Sequence, residues 1–116
     1  MKLSDDIEAA VAEARAKVRV GYPWWLRPFL FPNIVAITFG RRIWLSASVD
    51  ERHAARLLRH ELTHVRQFAR LGMFRFLWRY LTEYVRLRRS GLSSTAAYES
   101  ISFEREALAA EQAETV

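Results

Sequence analysis

The residues in this chain best suited to chemistry are His60, Glu61 and His64, which stand in the order H-E-x-x-H. On an α-helix, side chains four residues apart leave the same face about one turn above each other. Both imidazoles can then meet one divalent cation. Glu61 is rotated one step round, close enough to reach a water on that cation without ligating it. Two His on zinc beside a Glu that takes up protons is the arrangement by which metallopeptidases hydrolyse peptide bonds.

Two imidazoles leave such a centre incomplete, since catalytic zinc keeps three protein ligands and one open position. The chain has no Cys, which removes thiolate ligands and disulfides alike. His53 lies seven residues before His60, about 10 Å along a helix, and reads as a polar first-turn residue. A carboxylate must supply the missing ligand. Phe103-Glu104-Arg105-Glu106-Ala107, forty residues after His64, offers Glu104 and Glu106.

The elements that must position these groups follow from pattern and punctuation. Ser4 caps an acidic first turn, and Ile7, Val11, Ala14 and Val18 mark a helix over about 5–19, ended by Gly21 and Pro23. Tyr22 to Pro32 carries three Pro and reads as an irregular loop whose aromatics fold back as core, with Trp24 and Trp25 able instead to touch lipid. Asn33–Phe39 and Arg42–Ala47 are strand-like around the turn Gly40-Arg41, which predicts a hairpin with Ile43–Ala47 as a free edge. Ser48 and Glu51 form a capping box for the motif helix, which runs to about Leu71 and stops at Gly72. Met73–Arg89 forms a further helix, with Phe74, Leu77, Leu81, Tyr84 and Val85 as its core-facing stripe and Arg in solvent. A last helix spans 96–113, or starts near Ser102 after a turn containing Tyr98; Glu114-Thr115-Val116 frays. The expectation is one α+β domain over 1–116, a small zincin-like fold with an N-terminal helix (1–20), a hairpin or small sheet, the motif helix and two more helices.

His60-Glu61-Leu62-Thr63-His64-Val65-Arg66-Gln67, then Tyr98, then Phe103-Glu104-Arg105-Glu106-Ala107, resembles the gluzincin metallopeptidases, and among them the small bacterial minigluzincins. The similarity covers roughly 34–110. In that clan the third ligand opens an E-x-x-[AS]-D pattern. Carried over, this selects Glu104 as ligand, with Ala107 at the small position. Leu108 stands where the clan has an Asp that orients a ligand His, and Glu106 is the alternative carboxylate for either task. The resemblance implies zinc as cofactor and hydrolysis by a metal-activated water, with Glu61 as general base. A donor must also steady the oxyanion: Tyr98 first, Tyr84 second. Gln67, one turn beyond His64, is placed to support the ligands.

The net charge is +5, and sixteen of the eighteen basic residues are Arg. Such a surface attracts anions, including anionic membrane through Trp24, Trp25 or the Arg-rich helix; nothing in it specifies nucleic acid. The first residues lack the apolar core of a secretory signal, and no uncharged run is long enough to span a bilayer, so the expected location is cytoplasmic. Three functions compete: a zinc peptidase acting on peptide or protein, a zinc-binding interaction domain without peptidase activity, and a basic surface binder.

Overall fold

The computed structural model describes residues 3–26 and 35–113. Among them are five helices and one three-stranded mixed sheet. The helices are α1 (Asp5–Glu13), α2 (Glu51–Leu71), α3 (Met73–Arg89), α4 (Ser94–Ser100) and α5 (Ser102–Ala113); the strands are β1 (Lys17–Val20), β2 (Ala36–Phe39) and β3 (Arg42–Leu45). The α+β class stands as expected. Phe29, Phe31, the start of the expected first strand at Asn33 and the last three residues lie outside the described residues.

The N-terminal helix ends at Glu13 rather than near 19. The N–H of Ala16 bonds Val11 O and that of Arg15 bonds Ala12 O, while Arg15 takes the left-handed conformation at φ 55°. That is a Schellman stop, usually made by Gly. Lys17-Val18-Arg19-Val20 then alternates as a strand, parallel to β3 with Val18 opposite Ile43. Val18 fits a helical step and a strand equally well, and the sheet decides.

β3 lies in the middle of the order β1-β3-β2, so Ile43–Ala47 is not the free edge. Ile43, Trp44 and Leu45 are buried, as a strand paired on both sides requires. Phe39 pairs with Arg42 across the two-residue loop Gly40-Arg41, and Gly40 supplies the φ of +64° that such a loop demands. The outer edge of β2 has no strand partner among the described residues.

The capping box at Ser48 does not form. Asp50 is the N-cap of α2: its carboxylate accepts from the N–H of His53 at 2.9 Å and from His53 Nδ1 at 2.8 Å. Ser48 instead bonds Ser46. Gly72, at φ 83°, ends α2 through Phe68 O and accepts at its carbonyl the first bond of α3, so a single residue joins the two helices.

Leu58, Leu62 and Val65 of α2 pack with Ile7, Ile43 and Leu45 in one core cluster, joining α1, the sheet and the motif helix. Phe68, Phe76, Ile101 and Phe103 form a second cluster where α2, α3 and α5 meet. α3 is turned differently from the expected stripe: Phe76 is buried and Tyr80, Tyr84 and Leu87 pack inward, whereas Phe74, Leu77, Leu81 and Val85 are exposed. Trp24 and Trp25 are exposed too, Trp25 standing edge-on to Trp44, so these loop aromatics are not core. No helix of the described residues is long and apolar enough to cross a membrane.

Candidate metal centre

His60 and His64 leave α2 on the face that meets α5, with ring centroids 5.1 Å apart. α5 crosses that face in the opposite direction, and its first turn delivers Glu104. Oε1 of Glu104 lies 3.0 Å from Nε2 of His60 and 3.0 Å from Nε2 of His64. The three ligating atoms form a group able to hold a metal ion. Donors around tetrahedral zinc stand about 3.3 Å apart, close to the 3.0 Å that separates each Nε2 from Glu104 Oε1.

The far sides of the two rings fix what they present to the centre. His64 Nδ1 is 2.8 Å from Gln67 Oε1. The Gln67 amide cannot be turned round, because its Nε2 donates both to Phe103 O (3.1 Å) and to Glu106 Oε1 (3.0 Å). His60 Nδ1 is 3.0 Å from Glu111 Oε2. Each Nδ1 therefore carries a proton, and each ring turns its Nε2 toward the same carboxylate oxygen, as a lone pair when the ring is neutral. Three lone pairs converging on one point repel unless a cation or a proton sits among them.

Glu104 is 5 % exposed. Burial pushes its carboxyl up, but hydrogen bonds with His60, His64 and Tyr80 outweigh burial and hold it well below the usual range. Tyr80 of α3 donates to Glu104 Oε2 at 2.6 Å, leaving Oε1 for the centre. Glu83 of α3 sets the start of α5, its two oxygens taking the N–H and hydroxyl of Ser102 at 2.8 Å each. Position Glu104, in the first helical turn, also suits a negative charge. Burial lowers the pKa of both imidazoles, yet Glu104 and Glu61 reverse that: His60 is raised to about 9 and His64 is raised.

Glu61 is buried beside the pair, and the Thr38 hydroxyl of β2 donates to its Oε2. Burial raises its pKa, with His64 and Thr38 pulling the other way. Tyr98 sits on α4 at the rim, half exposed, its phenol pushed well above normal by burial and then by the charges of Glu104 and Glu61. Glu106 points away to Gln67 and Arg70, and Leu108 is 43 % exposed. The carboxylate on His60 is Glu111, seven residues beyond Glu104 and so nearly two turns along the same face. His53 stays with Asp50, away from the centre.

Thr38, Tyr80 and Glu111 are the residues that sequence reasoning missed. Their partners lie 23, 24 and 51 positions away along the chain, beyond any local spacing rule. Tyr80 shares the inward step with Phe76 and Tyr84, which is the one local sign it carries. Replacing Glu111 with Ala should loosen His60, and the expected loss of metal affinity is about 10–100-fold with the fold retained. Chelator competition on the folded variant reads it directly.

A family model described as the eCIS core domain, linked to extracellular contractile injection systems, matches residues 32–71. That span contains β2, β3 and α2 with His60 and His64, and stops well short of Glu104. The match names no gluzincin peptidase. No curated protein and no solved structure gives a significant match to the chain.

Proposed function

We propose that this chain is a zinc-dependent peptidase of gluzincin-like design, with His60, His64 and Glu104 as ligands and Glu61 as general base. The observation that carries the reading is the tautomer lock, by which Glu111 and Gln67 turn two Nε2 lone pairs toward one oxygen of Glu104. A buried cluster of two imidazoles and one carboxylate suits zinc, which takes such donors in a tetrahedral set and in catalytic sites keeps the fourth position open. When bound, zinc supplies Lewis acidity that acidifies water and polarises a carbonyl.

The chain's own residues do the rest. Glu61, held by Thr38, accepts a proton from the attacking water and returns it to the leaving amine. Tyr80 donates to Glu104 from inside the site; Tyr98, at the rim and also bonded to Glu104, is the more exposed phenol and the one to turn to the oxyanion. An extended peptide lies along the outer edge of β2, whose Thr38 is already in contact with Glu61.

A second reading, a metal-stabilised interaction domain without peptidase activity, draws on the match to the injection-system core family over the hairpin and motif helix. Metal analysis of the purified chain, run beside casein or peptide-library cleavage with and without chelator, separates the two. The peptidase reading expects about one zinc per chain and cleavage that chelation stops. Zinc without cleavage of any library member turns the balance to the interaction domain.

A further inference from the structure

One face of α3 has no partner among the described residues and carries the wrong chemistry for open water. Phe74 is 89 % exposed, Trp78 69 %, Leu81 58 % and Val85 40 %. At 100° per residue these four fall within about 60° of one another, so they form a continuous apolar row along the helix. Arg75, Arg79 and Arg86 form a second row beside it, roughly 100° round, and all three are exposed. The sole acid of α3 is Glu83, whose two oxygens are already taken by Ser102.

The geometry points to α3 as a docking surface for an anionic lipid membrane, lying in the interface plane with its apolar row down and its Arg row among the headgroups. At 17 residues it is about 25 Å long, and it is not apolar enough to cross. A bulky, strongly basic and apolar-faced helix that does not span is what an interfacial helix looks like. Trp and Arg suit this depth in particular, since each pairs an apolar body with a polar end.

A second copy fits the same face less well. Antiparallel pairing of two such rows sets the Arg rows of both chains side by side, and each chain already carries +5. Lipid phosphates and carboxylates neutralise that charge. The inward residues Phe76 and Tyr80 lie on the opposite side of the helix, so docking leaves the metal centre uncovered and does not depend on it.

Co-sedimentation with vesicles of phosphatidylcholine plus phosphatidylserine, against phosphatidylcholine alone, tests this on the full chain. Partitioning onto the anionic vesicles should be at least about tenfold stronger and should weaken with added salt. Trp78→Glu with Leu81→Glu should abolish it. Replacing Arg75, Arg79 and Arg86 together by Gln, which leaves the apolar row intact, should cost on the order of a hundredfold. Circular dichroism confirms that each variant is folded. Equal binding to neutral vesicles, or full binding by the folded charge variant, overturns the proposal. So does a chain that ignores vesicles and is instead a dimer dispersed by Trp78→Glu, or a monomer that ignores them and captures an acidic protein.

Discussion

Glu61→Gln should abolish peptide hydrolysis while leaving the metal in place. The substitution keeps the shape of the side chain and an oxygen that can accept from the Thr38 hydroxyl. It removes the only function the carboxylate has there that an amide cannot copy, the uptake and return of a proton. Loss of a positioned general base costs about 10²–10⁴ in rate. The ligands are elsewhere: His60, His64 and Glu104 converge without Glu61, which sits beside them. Single-turnover cleavage of a fluorogenic peptide and elemental analysis on the same preparation give both numbers. A variant that cleaves like the parent removes Glu61 from the chemistry, and one that loses its zinc makes it a structural residue.

The motif helix was legible because its signals are local. A four-residue spacing places two His on one face wherever the helix lies, and the apolar step of Leu58, Leu62 and Val65 states which way that face turns. The carboxylate that joins His60 and His64 was legible only through resemblance, since periodicity offers Glu104 and Glu106 on equal terms. What separates them is the first turn of α5, pinned by Glu83 across from α3. No spacing rule links those three elements.

The misread parts share one cause. Helix one and β1 divide at Arg15, where a non-Gly residue takes the left-handed conformation, and the usual stop signal is absent from the sequence. β3 became central because β1 came to pair with it in parallel, a long-range event that covered the edge expected to be free. α3 is apolar on both sides, so its periodicity allows two stripes. Packing on Phe68 and Phe103 chose the one with Phe76 and left the other in the open.

The same local charges predict how protons and zinc compete. Without metal, Glu104 and Glu61 raise His60 to about 9 and raise His64, so near pH 7 a proton occupies the place meant for the cation. Zinc uptake must expel it, and the apparent affinity should climb about tenfold per pH unit from neutrality, levelling near 9. The stability of the metal-free fold runs the other way. For His60 the folded value lies above the ordinary 6.5, so its contribution is complete below 6.5 and is lost as pH rises through about 9. For Glu104 the folded value lies below the ordinary 4.5, so its contribution holds above 4.5 and fades as pH falls further. Zinc should therefore raise the unfolding temperature most at the alkaline end, where the metal-free chain has lost its imidazolium–carboxylate contacts and the ion faces no proton. Glu104→Gln should flatten both slopes and weaken binding by at least about a hundredfold, because it removes the ligand and the charge that holds the competing proton. Thermal unfolding with and without zinc across this range, with chelator competition at each pH, measures every part of it. An affinity that does not change between neutrality and the His60 value would show that the imidazoles do not face the metal through the nitrogens assigned to them.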